Sequence, residues 1–274
     1  MSSLDTLDGW PVGKAAAAVV GVNGVVATYG PLDHEFGLAS VTKPLAALAI
    51  LVAVEEEAVS LDDAADETLL PGATLRHLLA HASGVAPERR LRSFAPAVRR
   101  VYSNVGIELA ASLVSAAADL PFADYLDEAV LRPLELRDTS LPGSPARDGV
   151  STVRDLARVL TELLSSTGLL SAPMLAELPT VQYPGLRGVL PGYGGQAHND
   201  WGLGFEIRAD KSPHWTGTTN SAATFGHFGQ SGTMMWVDPV AQLGLVALAD
   251  RAFGHWAIKA WPALSDAVLA EFAG

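Results

Sequence analysis

The chain has 274 residues, of which 49% are hydrophobic and 18% charged, and its net charge at neutral pH is -12. This composition predicts one domain with a large buried core and excludes a chain that is disordered throughout. With 18 Lys and Arg against 30 Asp and Glu, nucleic acid is not expected as a partner, and the lack of cysteine excludes disulfides and a cysteine nucleophile.

The first residues, MSSLDTLDGWPVGK, lack the basic and apolar regions of a secretory signal. The apolar run at residues 44–54 is too short to cross a bilayer core of about 30 Å. We therefore expect a cytoplasmic protein without a membrane span.

The first predicted elements are two antiparallel strands, residues 16–22 and 25–30. Asn23 and Gly24 separate two β-branched runs there and favour a tight hairpin turn. From Ser40 the apolar spacing becomes helical and predicts a buried helix that runs to about Glu57.

Helical or loop signals then dominate to about Leu178. Thr74 is the expected N-cap of the segment TLRHLLAHASGV, and NVGIELAASLVSAAADL has helical spacing. Pro121 begins a further helix that stops before Pro133. The segment STVRDLARVLTELLSS is predicted as a helix capped by Ser151 or Thr152.

Residues 183–195 form a loop rich in proline and glycine, after which the period returns to two. WGLGFEIRA, GTMMWVDP and AQLGLVALAD are predicted strands, with Asp238 and Pro239 in the turn between the last two. The final segment, AIKAWPALSDAVLAEF, is predicted as a helix kinked near Pro262.

Strands at both ends with helices between them predict an α+β fold in a single two-lobed domain, residues 1–274. Residues 1–39 and 196–274 form an antiparallel sheet lobe flanked by terminal helices. Residues 40–195 form a mainly helical lobe inserted between them, and the cleft between the lobes is the expected site.

Ser40 and Lys43 lie one helical turn apart at the start of the apolar helix, so their side chains share a face. Ser40 has two interpretations, a helix cap or a nucleophile. The stem of Lys43 enters apolar surroundings, and burial lowers the pKa of a lysine until its neutral amine can take a hydroxyl proton. Ser-x-x-Lys alone is a weak motif, because a cap and a lysine that reaches solvent also account for it.

Two further motifs follow: Tyr102 and Asn104 in VYSNVG, then His227 and Gly229 in FGHFGQSGT. With Ser-x-x-Lys, their order and separation resemble the serine β-lactamase and penicillin-binding-protein superfamily. The match is closest to its class C β-lactamase-like branch, which includes esterases and D-amino-acid peptidases. TLRHLLAHASGV and WGLGFEI are also similar to segments of that branch, so the resemblance covers nearly the whole chain. It implies a β-lactamase/transpeptidase-like fold.

The resemblance implies a role for each matching residue. Ser40 would be the acylated nucleophile and Lys43 its proton partner. Tyr102 would be the general base or acid if neighbouring cations lower its pKa from about 10. Asn104 would bind the substrate and help to hold Lys43.

The third motif would complete the site. His227 would face the cleft from its strand, and Gly229 would let the substrate approach the backbone closely. The N–H groups of Ser40 and Gln230 would form the oxyanion hole. His227 departs from the lysine that many β-lactamases have there, which removes a fixed cation for a substrate carboxylate. Glu57 departs from a common glycine, which affects stability.

Other interpretations compete at several positions. His77 and His81 have a spacing that zinc could use, but without a third ligand they are expected to be structural. The run Arg89-Arg90-Leu91-Arg92 with Arg99 and Arg100 is either an anion site or a solvated face. Trp201, Trp215 and Trp236 line a pocket or fill the core.

The sequence therefore predicts a serine hydrolase that cleaves small carboxylic esters, or related amides, through a Ser40 acyl-enzyme. Its partner is a small-molecule acyl substrate, and no cofactor or metal is expected. The alternatives are a D-amino-acid peptidase or amidase, a weak β-lactamase, and a catalytically silent member that binds a ligand in the same cleft.

Overall fold

A computed structural model describes residues 2–165 and 168–273. The predicted domain begins at Met1 and ends at Gly274, and one predicted helix ends at Ser166. These three residues lie outside the described ranges. The strands are β1 (Ala15–Gly21), β2 (Gly24–Tyr29), β3 (Phe36–Gly37), β4 (Val150–Ser151), β5 (Gly188–Leu190), β6 (Gly194–Gln196), β7 (Glu206–Ile207), β8 (Phe225–Gly229), β9 (Thr233–Asp238) and β10 (Leu243–Ala249). The helices are α1 (Thr42–Glu55), α2 (Leu75–Leu79), α3 (Asn104–Ala118), α4 (Phe122–Leu126), α5 (Val153–Ser165), α6 (Ala172–Glu177) and α7 (His255–Phe272).

Both ends of the chain contribute to one antiparallel sheet, with the strand order β2-β1-β10-β9-β8-β7. Strand β1 pairs with β10 along its whole length, from Ala15 opposite Ala249 to Gly21 opposite Leu243. The hairpin predicted at Asn23-Gly24 joins β1 to β2, and Gly24 has the positive φ of 108° that its turn requires. This sheet confirms the predicted α+β class.

The sheet has an apolar layer on each face because side chains alternate along a strand. In β1, Ala16, Ala18 and Val20 belong to the core that contains α1, α3 and α5. Ala17 and Val19 belong to a second core, which includes α7 and the N-terminal 3₁₀ helix Ser3–Gly9. The predicted division into two lobes stays a prediction. Helix α5 belongs to the 40–195 segment that was assigned to the helical lobe, but it packs on strands β1 and β10 of the sheet.

Several predicted boundaries were wrong. WGLGFEIRA is a strand only at Glu206–Ile207, and its glycines explain why. Gly204 has a φ of +84°, which leaves the extended region, and Gly202 packs so closely that a Cβ there would collide with the carbonyl oxygen of Leu178. The 183–195 segment, predicted as a loop, contains β5 and the start of β6, which pair as a hairpin.

The helices largely follow the predicted pattern. Thr74 is the N-cap of α2, and Thr152 accepts a hydrogen bond from the backbone N–H of Asp155 at 3.2 Å. The helix after Pro121 passes into a π-helical turn, Asp127–Leu131, and ends before Pro133. Helix α6 was missed.

Among the described residues, no single helix is long and apolar enough to cross a membrane. One bent pair of helices, Asn104–Ala118 with Phe122–Leu131, meets that test of length and composition only when the two are taken together.

Candidate active site

Ser40 lies in a 3₁₀ turn, Ala39–Val41, immediately before α1. The backbone of Leu38 fixes this turn, because its N–H donates to Gly149 O at 2.8 Å and its carbonyl accepts from Thr233 Oγ1 at 2.8 Å. Ser40 makes no side-chain capping bond to the helix. The capping interpretation of Ser40 is therefore wrong, and its hydroxyl is free to contact side chains from other segments.

Lys43 is fully buried in the first turn of α1. Its Nζ lies 2.7 Å from Asn104 Oδ1, 2.8 Å from Ala146 O and 3.2 Å from Ser40 Oγ. Burial lowers the pKa of Lys43 to about 7, although the carboxylate of Glu88 opposes the shift. A neutral amine has two N–H bonds, which the amide and carbonyl oxygens accept, so its lone pair is left for the Ser40 hydroxyl.

Asn104, the first residue of α3, has its amide orientation fixed by a carboxylate. Its Nδ2 donates to Glu88 Oε1 at 2.6 Å, and a carboxylate can only accept there. Its Oδ1 therefore faces Lys43. This contact agrees with the expectation that Asn104 helps to hold Lys43, while its contact with substrate stays a prediction.

The Tyr102 hydroxyl donates to Ser40 Oγ at 2.7 Å. The ring of Tyr102 packs between aromatic neighbours, with centroids 4.8 Å from His81 and 5.7 Å from Trp201. Burial raises the pKa of Tyr102, and the hydrogen bond to Ser40 does not offset the effect. The base role required neighbouring cations to lower this pKa, and they do not. The phenol is therefore protonated at neutral pH.

His227 lies on β8 and faces the same cavity as Ser40, as the resemblance implied. Its Nδ1 is 2.7 Å from Phe228 O, and because a carbonyl only accepts, Nδ1 carries the proton. Burial, with a smaller contribution from Lys43, lowers the pKa of His227 to about 3. The ring is neutral, and Nε2 presents a lone pair that has no partner among the described residues.

Gly229 ends β8 directly beside the turn that carries Ser40. A Cβ at this position would collide with the carbonyl oxygen of Leu38 and with Thr233 Oγ1. The close approach found here is thus to the protein's own backbone, whereas the resemblance implied an approach to substrate. Gln230 follows and lines the cavity with Ser40, and the oxyanion role of its N–H stays a prediction.

These segments enclose a small cavity of about 40 Å³. It is lined by Ser40, Tyr102, Leu190, Pro191, Trp201, Glu206, His227, Phe228 and Gln230. Trp201 is therefore a pocket residue, whereas Trp215 and Trp236 lie in the second core. Such a volume admits a small group beside the serine hydroxyl.

Glu206 is a buried carboxylate of this cavity that the sequence analysis missed. Burial opposes its charge, but Lys211 and His214 outweigh that effect and lower the pKa of Glu206 to about 2. Its Oε1 lies 3.4 Å from Lys211 Nζ and 3.0 Å from His214 Nε2, and Trp215 Nε1 donates to Oε2 at 2.8 Å. The signal was an acidic residue between Phe205 and Ile207, with a lysine five positions later.

The other candidates separate in space. His81 accepts a hydrogen bond from the Ser103 N–H, and His77 lies against Tyr183, so the two rings do not share a ligand. Within residues 2–165 and 168–273, no group of three or more His, Asp or Glu residues is arranged to hold a metal ion. The arginines predicted as one group also differ in exposure. Arg100 is buried, whereas Arg89, Arg90 and Arg92 are exposed.

Comparison with known proteins places this geometry in context. The sequence profile of the family described as Beta-lactamase matches residues 8–269. The crystal structure of a β-lactamase from Mycobacterium bovis is 54% identical and covers 100% of both chains, with a TM-score of 0.97.

More distant proteins share the fold alone. Unliganded simvastatin synthase from Aspergillus terreus is 17% identical over 98% of this chain and 96% of its own, with a TM-score of 0.80. EstCE1, a hydrolase with promiscuous acyltransferase activity, is 18% identical over 97% of this chain and 96% of its own, with a TM-score of 0.79. A curated relative from Alkalihalophilus pseudofirmus, described as an uncharacterized protein, is 28% identical over 130 residues, which span 44% of this chain and only 38% of that protein.

Proposed function

Because this chain belongs to the β-lactamase family, we propose that it is a serine hydrolase that cleaves small carboxylic esters, or related amides, through an acyl-enzyme on Ser40. It has the β-lactamase/transpeptidase-like fold that the sequence motifs predicted. One observation supports the proposal above all others: Ser40 Oγ lies 2.7 Å from the Tyr102 hydroxyl and 3.2 Å from Lys43 Nζ. Both distances permit a proton to pass.

In the proposed acylation step, the neutral amine of Lys43 takes the proton of Ser40 while Oγ forms a bond to the carbonyl carbon. The carbonyl electrons move to oxygen, and the backbone N–H groups of Ser40 and Gln230 bind that oxyanion. The oxyanion then collapses and the bond to the alcohol breaks. The leaving oxygen takes a proton from Tyr102, which Lys43 in turn reprotonates.

Deacylation repeats these transfers with water in place of the serine. Lys43 is neutral again after the alcohol has left, so it can accept a proton from the attacking water, through Tyr102 or directly. The acid is released and Ser40 recovers its proton. In the free protein, Ser40 Oγ already lies within hydrogen-bond distance of both Lys43 Nζ and the Tyr102 hydroxyl.

The neutral His227 favours esters over β-lactams as the main substrates. Classical β-lactam substrates carry a carboxylate, and an uncharged ring with a lone pair at Nε2 offers it no cation. β-Lactam turnover is the second candidate, because the M. bovis β-lactamase is 54% identical over the whole chain. We expect it to be slow.

Hydrolysis of p-nitrophenyl acetate tests the proposal. We expect Ser40→Ala to abolish the enzymatic rate and Ser112→Ala, on the exposed face of α3, to retain it. Intact mass measured after brief exposure to the ester should show one acyl group on the parent and none on Ser40→Ala. The same measurement with a β-lactam panel tests the second candidate. Equal hydrolysis by the parent and Ser40→Ala would instead favour the silent, ligand-binding alternative.

A further inference from the structure

A second and larger cavity, of about 380 Å³, adjoins the small one around Ser40. Tyr102 and Pro191 border both cavities, so the larger one continues the candidate active site outward. We call it the outer basin. Its size lies within the range of small-molecule sites, whereas the inner cavity admits only a small group.

The wall of the outer basin is mostly apolar. Pro87, Phe94, Val101 and Val189 contribute to it, and two of these side chains are well exposed, Phe94 at 38% and Val189 at 51%. Burying apolar surface under a ligand is favourable, because it removes that surface from water. The basin therefore favours a substrate whose larger part is apolar.

Arg99 adds a positive charge to this wall. Its guanidinium carbon lies 5.7 Å from the centre of the Phe94 ring, and no carboxylate among the described residues lies within 4.0 Å of it. Arg90 pairs with Asp66 at 3.5 Å and Arg147 with Glu88 at 3.0 Å. Arg89 and Arg92 have no ion pair among the described residues either, but they do not border the outer basin.

The neighbouring charges leave Arg99 free for a ligand. Glu88, the acidic residue next to Pro87, already engages Arg147 and the amide of Asn104. Arg100 also borders the basin, but its guanidinium donates to main-chain carbonyls in the interior. Arg99 is thus the cation that an anionic group in the basin would meet.

We propose that the outer basin binds the larger part of the substrate, and that this part is apolar and carries a carboxylate that pairs with Arg99. The preferred substrates are then anionic amphipathic esters with a small group on the other side of the ester bond. This inference rests on the proposed function, because it names the substrate class of that same site.

Two pairs of esters test this inference. The first pair places the larger part on the alcohol side of the ester bond, and the second places it on the acyl side. In the first pair, the acetyl ester of a hydroxynaphthoic acid is compared with the corresponding carboxamide. In the second, the phenyl monoester of sebacic acid is compared with phenyl decanoate. In at least one pair, the parent should hydrolyse the carboxylate with a kcat/KM about tenfold higher than that of its uncharged counterpart, mainly through a lower KM. This preference should weaken as salt is added.

Arg99→Gln should reduce that preference to a ratio of about one, because the amide retains hydrogen bonding but not the charge. Arg90→Gln is the matched control, since Arg90 lies in the same run and pairs with Asp66, and it should keep the parental ratio. A parental ratio in Arg99→Gln, or no preference in either pair, would overturn the inference. Ser40→Ala separates the two proposals: if hydrolysis still depends on Ser40, the proposed function stands and only the substrate class is wrong.

Discussion

The pKa of Lys43 determines how the proposed reaction depends on pH. Burial lowers it to about 7, and only the neutral amine can take the Ser40 proton. Below that pKa the neutral fraction falls about tenfold for each pH unit. We therefore expect kcat/KM for a neutral ester to be constant above about pH 8 and to fall tenfold per unit on the acid side of pH 7.

The other groups that line the cavity do not titrate in this window. The pKa of His227 is lowered to about 3 by burial, and that of Glu206 to about 2 by Lys211 and His214, which outweigh its burial. A single acid limb can thus be assigned to Lys43. A profile that stayed flat from pH 8 to pH 5 would contradict the neutral-lysine mechanism.

Tyr102→Phe removes the hydroxyl that lies 2.7 Å from Ser40 Oγ and keeps the packed ring. Because this hydroxyl is the proposed acid for the leaving group, we expect kcat to fall about 10²- to 10³-fold with little change in KM. Tyr29→Phe is the control, since the Tyr29 hydroxyl contacts Asp8, away from the cavity. Steady-state kinetics that left kcat of Tyr102→Phe at the parental value would exclude the acid role.

At the scale of single residues, the sequence motifs predict which side chains meet and the lowered pKa of Lys43, but not the raised pKa of Tyr102. Ser40, Lys43, Tyr102 and Asn104 could be named because each lies in a short motif. The raised pKa of Tyr102 comes from burial among His81 and Trp201, which lie far away in sequence. Burial raises the pKa of any phenol, but its extent depends on all the packed neighbours, so a short motif cannot give it.

Helix α1 ends in a geometry that suits glycine better than the residue present. Glu57 has a φ of 58°, the Glu57 N–H donates to Val54 O at 3.1 Å, and the Ala58 N–H donates to Ala53 O at 3.0 Å. These paired bonds form a Schellman motif, whose left-handed residue is usually glycine. We expect Glu57→Gly to raise the free energy of unfolding by about 1 kcal/mol.

Urea unfolding measures this change, and Glu57→Ala is its matched control. Alanine also removes the exposed carboxylate but keeps the Cβ that a positive φ disfavours, so its stability should equal that of the parent. If both variants were equally stabilised, the charge of Glu57 and not its backbone conformation would be the cause.

Elements with strong local signals were predicted, and those set by distant contacts were not. The Asn23-Gly24 hairpin and the caps at Thr74 and Thr152 follow from a few adjacent residues. In contrast, Gly204 leaves the extended conformation where its N–H donates to Leu79 O, a contact that no sequence period reveals. The predicted nine-residue strand is therefore shortened to two residues by packing.

In the whole molecule, buried Arg100 joins segments that surround the site. Its guanidinium donates to the carbonyls of Ala80, Gln182 and Asn199 at 2.5, 2.8 and 2.9 Å. Burial lowers the pKa of Arg100 to about 10, so it stays charged at neutral pH. One side chain thus holds the end of α2 against the two loops that precede Trp201, a wall of the inner cavity.

Arg100→Met should therefore destabilise the protein, because it leaves these buried carbonyls without donors. Each such loss costs about 1–3 kcal/mol and the losses are not additive, so we expect the free energy of unfolding to fall by about 3 kcal/mol. The adjacent Arg99→Met is the control. Arg99 is partly exposed and has no acidic partner within residues 2–165 and 168–273, so its loss should change stability by less than about 0.5 kcal/mol. Equal unfolding midpoints for the two variants would mean that the carbonyls around Arg100 find other donors, and that these segments hold together without it.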